Sequence, residues 1–490
     1  MIGNYRIVFL LVWLIALPAV AVDVVLIYPR IVDSTQVFTY PEQIDSTFVL
    51  GHISPPQGTL FINEQSVPYT DRGAFLAWLP LRKSQGLKSW DVVLESNGNE
   101  ITSLSFPYWL ASEVPASATT DTFNNDFFPH LIQVTQENAH TRTYLGGSYH
   151  LFPEFGCLLK AVGHKNGFFE FEIANDWTGF IEDRFVSISD NSTLQPVRIG
   201  NAECTQEDNT TICRFDVNRV LTWSAALSPD HQALRLMLYN TTAAIDRIRY
   251  TVDDTFLEDI TWEQLPTGLA LQFRCRGPIQ RGFQVTTIAG ELVVTICQPY
   301  SKREQRLKGK TIILDPGHGG KAEGSIGPLG TKEKDITLKW AEILSGDLIR
   351  HGAVVKLTRF DDRDLDLYSR IDYAKSQKAD FFISLHGNAL PDGLNPFLRH
   401  GSGTYYYQAG SRSAAAIIHR HLVKASGLRD DGLWDANLAV VRPTAFPAVL
   451  LEAAYLIYPE EEELLQSDEF LRKLSKGIVR GLQEYFQRNR

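Results

Sequence analysis

The sequence of 490 residues predicts a multidomain chain in which β-rich modules precede a C-terminal α/β domain. Three observations carry that expectation. The length exceeds the roughly 100–200 residues of one domain. Short runs of β-branched and aromatic residues, broken by Pro, Gly and Asn, fill residues 22–300. From about residue 305 onward, strand-like runs alternate with helical periods. The composition, 44% hydrophobic and 21% charged, lies near the globular average and excludes a disordered, collagen-like or polytopic membrane chain. With 47 Lys plus Arg against 57 Asp plus Glu, the formal charge of −10 leaves no basic excess to neutralise a phosphate backbone, so no nucleic-acid partner is expected.

The first element is a leader. One Arg near the amino terminus precedes an uncharged run, Ile7 to Ala16, which ends at Pro18 and the small triplet Ala19-Val20-Ala21. This is the pattern of a secretory signal peptide over 1–21. The apolar stretch is shorter than the ~20 residues of a membrane-spanning helix, although Val24-Val25-Leu26-Ile27-Tyr28 resumes the hydrophobicity and leaves an uncleaved anchor as the alternative.

Residues 22–112 then show β-type runs at about ten-residue intervals, the signature of a small β-sandwich. The segment FVLGHISPPQGTLFINEQSVPYTDRGAFLAWLPL resembles the immunoglobulin-like (Ig-like) modules that precede some bacterial wall enzymes. A polar, small-residue stretch over 111–126 reads as a linker. In 127–190, YHLFPEFGCLLKAVGHKNGFFEFEIANDWTGFIEDRFVSI resembles a bacterial SH3-like barrel. The alternating runs of 191–300 form a further β-rich module or an extension of the second. All five cysteines lie in the β-rich part, with no C-x-x-C pair, so a cysteine zinc knuckle is not expected. In an exported chain, Cys204/Cys213 and Cys275/Cys297 are the natural disulfide pairs, leaving Cys157 as the odd thiol.

After the basic joint SKREQRLKGK, the candidate strands of the α/β domain (305–490) are TIILD, AVVKLTR, DFFISLH, GTYYYQ and PAVLLEAAYL. Helical periods follow the first strand and recur near 365–378, 411–426 and 468–487, predicting a sheet covered by helices. In such sheets chemistry collects beyond the carboxyl ends of the strands. That rule selects His318 in DPGHGG, Glu333 before the first helix, His386 at the end of DFFISLH, and Glu452 within PAVLLEAAYL.

Two neutral imidazoles and one carboxylate recur as the three protein ligands of catalytic zinc, with a fourth position left for water. Each residue alone has a plainer reading. His318 could only bond backbone in a turn, His386 could be a core histidine, and Glu333 could be a solvated helix-start carboxylate. Glu452 in an apolar strand would be costly to bury unless paired or poised for chemistry; a structural ion pair with Arg442 is the alternative. His419 and His421 lie two apart on a helix and do not share a face. His351 reads as a helix-end residue, His400 as a loop residue, and Tyr405-Tyr406-Tyr407 as strand packing rather than a sugar platform.

In combination, DPGHGG, TKEKDITL, SLHGNA and PAVLLEAAYL, in that order, resemble the zinc-dependent N-acetylmuramoyl-L-alanine amidases over about 305–490. LTRFDDRDLDLYSRIDYA and NLAVVRPTAFPAVLLE also match that family's pattern. The resemblance implies an α/β zinc amidase domain with His318, Glu333 and His386 holding one Zn2+ ion and Glu452 as the catalytic carboxylate. It places Asn388 and Arg442 beside the site as substrate-orienting residues. It further implies peptidoglycan as the partner and an exported protein of the periplasm or cell-wall space. Some relatives carry an inhibitory helix between the second His and the catalytic Glu. Here GNALPDGLNPFLRHGSG is too short and too broken for a stable one, so no obligatory activator protein is expected. A non-catalytic wall-binding protein and a zinc carboxypeptidase cutting another wall peptide bond are the alternative readings.

Overall fold

The computed structural model describes residues 22–30, 37–41, 43–82, 87–111, 128–174, 177–189, 193–251, 254–300 and 306–488. The expected leader 1–21, nearly all of the linker and the first half of the basic joint lie outside the described residues. No helix among the described residues is long and apolar enough to cross a membrane.

The N-terminal part is strand-rich. A three-stranded sheet (Asp23–Tyr28, Ser46–Ser54, Ala74–Pro80) faces a five-stranded one that includes Thr59–Ile62, Lys88–Ser96 and Asn99–Leu110. Val49, Phe75, Leu60 and Trp90 fill the space between them. Strand Ser46–Ser54 is apolar on both faces for a reason. Val49 and Ile53 point into this core, whereas Phe48 and Leu50 pack with Leu390, Tyr455 and Ile457 of the C-terminal domain. Polar bonds rim that contact: the Tyr28 hydroxyl donates to Asp392 at 2.6 Å and the Thr47 hydroxyl at 2.8 Å.

Residues 130–188 form one six-stranded sheet around Ile132, Leu159, Phe171 and Ile181. The strands over 197–297 form two further sheets that share a separate core, centred on Phe215, Leu236, Leu271 and Val294. Val220 and Tyr239 from this stretch also pack against the core of 130–188, and Trp223 and Thr287 donate to Glu154. Cys204 and Cys213, cross-strand partners, are disulfide-bonded. The expected Cys275–Cys297 bond is not formed. Cys275 ends a strand of one sheet and Cys297 a strand of the other, so the two thiols belong to different layers of the sandwich.

In the C-terminal domain the elements are β1 (Thr311–Pro316), α1 (Glu333–Arg350), β2 (Val354–Leu357), α2 (Leu367–Ser376), β3 (Phe381–Asn388), β4 (Ser402–Tyr406), α3 (Arg412–Ser426), β5 (Asp430–Asp435), β6 (Ala448–Tyr455), α4 (Pro459–Gln466) and α5 (Asp468–Arg488). The sheet order is β2-β1-β3-β6-β4-β5. The pairs from β2 to β6 are parallel, β4 runs antiparallel to β6, and β5 is parallel to β4. Alternate side chains of a strand face opposite sides. Ile312, Leu314, Ile383 and Leu451 therefore meet α1, α3 and α5, while Ile313, Phe382 and Leu450 meet α2 and the turn at Val440. By the same alternation Asp315, His386 and Glu452 lie on the α2 face.

Two elements lacked a sequence signal. Strand β5, DDGLWD, carries residues poor in β propensity, and among the described residues it forms an edge strand paired with β4 alone. Helix α4 begins at Pro459 and carries an acidic run that reads as solvated. Glu461 and Glu462 are buried instead, accepting backbone N–H bonds from Tyr455 and Gly401, and from Leu329 and Thr331. The expected strand over 353–359 stops at Leu357, because the Thr358 hydroxyl bonds Asp315 and Arg359 turns inward.

Candidate active site

Strands β1 and β3 and the first turn of α1 bring three distant residues together. Glu333 Oε1 lies 3.1 Å from His318 Nε2 and 2.9 Å from His386 Nδ1. One ligand atom from each of the three falls within 4.8 Å of the others, and this is the metal-competent cluster found among the described residues. Backbone and hydroxyl groups fix the carboxylate: Gly387 N–H donates to Oε1 at 3.1 Å, and Ser325 donates to Oε2 from its N–H at 2.8 Å and its hydroxyl at 3.1 Å. Burial pushes the Glu333 carboxyl up, but hydrogen bonds and charge from His318 and His386 outweigh it and hold it well below the ordinary range.

The histidines are aimed by backbone geometry. His318 sits at φ +61°, a left-handed conformation that is rare for a residue with a side chain and that turns its ring off the end of β1. Gly317 leaves space for the other ring, since a Cβ there would lie 2.3 Å from His386 Cε1. Buried charges hold this turn in place. Arg370 pairs with Asp315 at 2.8 Å and donates to the carbonyls of Pro316 and His318 at 2.9 and 2.8 Å. Arg359, fully buried, donates to the carbonyls of Pro316, Gly317 and Lys334 at 2.9, 2.9 and 2.7 Å, tying the turn to α1. These positioning residues were not singled out in the sequence, although LTRFDDRDLDLYSRIDYA, which contains both, resembles the family's pattern.

Glu452 is the register partner of His386 and shares its face of the sheet. Some of its surface remains open, but Oε2 is shut off from solvent and has no hydrogen-bond partner among the described residues. Burial, then the charge of Glu333, then that of Asp431, push its carboxyl well above the ordinary range. The alternative of an ion pair with Arg442 is not what forms. Arg442 donates to Asn437 Oδ1 at 2.5 Å, and its guanidinium lies over Tyr149 and Phe152 of the second β-rich unit, 5.0 and 4.7 Å from the ring centroids. Asn388 ends β3, where its Oδ1 caps Ala389 N–H at 2.8 Å and its side chain bonds Tyr405.

The remaining candidates separate from the cluster. His419 bonds Thr404 and Asp430, His421 bonds Glu484, and His351 caps α1 on the carbonyl of Asp347. His400 is more than a loop residue: it bonds Glu461 at 2.7 Å and stacks on Tyr458, centroids 4.4 Å apart. Residues 389–401, between Asn388 and β4, contain no helix.

A buried carboxylate holding two imidazoles, with a second carboxylate raised in pKa beside them, is a donor set suited to a metal hydrolase. Residues 312–484 match the Amidase_3 family, N-acetylmuramoyl-L-alanine amidase. The chain is 36% identical over 188 residues to the probable cell wall amidase LytH of Staphylococcus aureus, a match covering 38% of this chain and 62% of that protein. Among solved structures it is similar to the catalytic domain of CwlV from Bacillus (Paenibacillus) polymyxa var. colistinus, with 35% identity, TM-score 0.34, and coverage of 36% of this chain and 97% of that one. It is also similar to AmiC2 of Nostoc punctiforme, with 29% identity, TM-score 0.35, and coverage of 37% and 99%. Over residues 312–484, then, the chain is similar to the N-acetylmuramoyl-L-alanine amidases.

Proposed function

We propose that this chain is a zinc-dependent N-acetylmuramoyl-L-alanine amidase, cleaving the amide between the lactyl group of N-acetylmuramic acid and the L-Ala of the peptidoglycan stem peptide. The observation that carries the reading is the His318–Glu333–His386 cluster with Glu452 in register beside it. The three residues would hold one Zn2+, which supplies polarisation of the scissile carbonyl and a water acidified from ~15.7 toward ~7. Glu452 takes the proton of the attacking water and returns it to the leaving amine. Asn388 and Arg442 orient substrate at the rim.

Residues 22–112 and 127–190 serve as Ig-like and SH3-like modules, followed by a third β unit over 191–300, and together they place the catalytic domain 305–490 on the wall. The protein is exported behind the leader 1–21 and acts in the periplasm or cell-wall space without an obligatory activator. The helix-free segment 389–401 supports an open site. A purely wall-binding role is disfavoured by the complete set of ligands and base. Paired variants of the full chain test the reading: Glu452→Ala abolishes release of stem peptides and keeps zinc, whereas His386→Ala loses both. Full activity of Glu452→Ala would overturn the mechanism.

A further inference from the structure

The α2 face of the sheet continues past Glu452 onto the edge strands. Gly403 of β4 stands opposite Glu452, Tyr405 opposite Leu450, and Trp434 of β5 opposite Tyr405. Residues two apart on a strand share a face, so Glu452, Gly403, Tyr405 and Trp434 follow one another along a single surface. Two residues of strand and two strand spacings separate Glu452 from Trp434, about 12 Å between backbones, the span of a short oligosaccharide. Gly403 places no side chain between them.

The two aromatic rings make a ledge. Their centroids are 6.4 Å apart with planes inclined by 21°. The Trp434 indole N–H donates to the Asp431 carbonyl at 2.9 Å, and the ring folds over Gly432, where a Cβ would come within 3.2 Å of the indole nitrogen. Gly432 at φ +109° provides that space. The orientation of the indole is thus set before any ligand arrives, yet Trp434 remains 40% exposed on a strand that has no neighbour on its far side among the described residues. Arg399 closes the end of the ledge, with its guanidinium 4.8 Å from the indole centroid and its Nε 3.3 Å from Asp431. Asp431 is held in turn by the Tyr455 hydroxyl at 2.9 Å.

A fixed aromatic surface beside an arginine–aspartate pair offers a pyranose ring what it needs: a flat face for its C–H bonds and charged groups for its hydroxyl and acyl oxygens. We propose that Tyr405, Trp434 and Arg399 form a carbohydrate subsite that binds a ring of the glycan strand adjoining the sugar whose amide is cut. The proposal rests on the amidase reading for its substrate and on the register from Glu452 for its place.

The test uses the full chain as wild type, Trp434→Ala, Trp434→Phe, and Trp262→Ala as a control at an equally exposed tryptophan of the third β unit. Binding of a tetramer of N-acetylglucosamine, which holds no amide to the stem peptide, is measured by calorimetry. Cleavage is measured on a single-sugar muramyl peptide and on glycan strands of several disaccharides. Trp434→Ala should weaken tetramer binding and lower kcat/KM on glycan strands by about tenfold, the value of one aromatic contact. The loss should come through KM and be smaller on the single-sugar substrate, with Trp434→Phe recovering most of it and Trp262→Ala matching wild type. Unchanged tetramer binding, or equal losses on both substrates as a peptide site or misfolding would give, overturns the subsite. Wild type that binds the tetramer but cleaves neither substrate would overturn the amidase reading and leave the subsite standing.

Discussion

Replacing Glu452 by Gln removes one charge and keeps the shape of the side chain, and it should separate what this residue costs the fold from what it contributes to catalysis. Glu452 Oε2 is shut off from solvent and has no hydrogen-bond partner among the described residues, and the charges of Glu333 and Asp431 oppose ionisation. Glutamine leaves a polar atom in the same place, so what it removes is the cost of burying the ionised form; because part of the Glu452 side chain remains open, the lower end of the about 1–3 kcal/mol for an uncompensated buried group applies, about 1 kcal/mol. The sign follows from linkage. Burial first, and the neighbouring carboxylates after it, raise the folded-state pKa of Glu452 above its unfolded value. Between those two values the folded chain keeps a proton that the unfolded chain releases, so stability falls as pH rises, and the full cost is present above the folded pKa. Glutamine removes that dependence. With metal chelated throughout, calorimetric unfolding of Glu452→Gln should show a Tm higher by about 2–4 °C at about pH 8, and by less near pH 5. Loss of the general base should lower kcat by about 100-fold or more. A Tm unchanged at the higher pH, or a gain equal at both pH values, would refute the reasoning about burial; retained activity would refute the assignment of the base.

Two further outcomes follow from other contacts. Asp431→Asn removes one of the negative charges that raise Glu452, so the acid limb of the kcat/KM profile should move to lower pH; an unmoved limb, measured over a full pH series, would show that Asp431 does not act on Glu452. Asp392→Ala strips the acceptor of Tyr28 and Thr47 and should destabilise the contact between the first sandwich and the C-terminal domain by about 1–3 kcal/mol. Limited proteolysis should then cut more readily at 389–401, and an unchanged cleavage rate would mean that these bonds do not hold the interface.

The candidate site was legible because each of its four residues follows, ends or interrupts an apolar strand or opens a helix, positions where chemistry collects or a polar group needs a reason. Glu452 was the clearest, since a carboxylate in PAVLLEAAYL has no inexpensive structural explanation. What the sequence hid was whatever depends on tertiary proximity. Arg359 and Arg370 sit in an acidic, solvated-looking stretch, and only the fold turns them inward onto the His318 loop. The burial of Glu461 and Glu462 arises because the backbone N–H groups they satisfy come from β6 and from two remote loops. The same holds for the missing Cys275–Cys297 bond: proximity along the chain does not say that the two strands lie in different sheets. The two-faced apolar strand Ser46–Ser54 was recognisable as β, but its second face acquires meaning only from Leu390 and Tyr455. Tyr405 was legible as strand packing and is half-buried; its open side joins the proposed ledge only through the neighbouring indole of Trp434, which comes from an edge strand that β propensity did not mark.

The central claim concerns which bond is cut, because two histidines, a glutamate ligand and a carboxylate base are equally able to hydrolyse other amides. Mass spectrometry of purified peptidoglycan digested by the full chain with zinc measures this directly. The account predicts free stem peptides bearing a new L-Ala amino group, together with glycan whose muramic acid carries a free lactyl carboxylate. Release of terminal amino acids from stems still joined to muramic acid, or no release from a zinc-loaded protein, would contradict it.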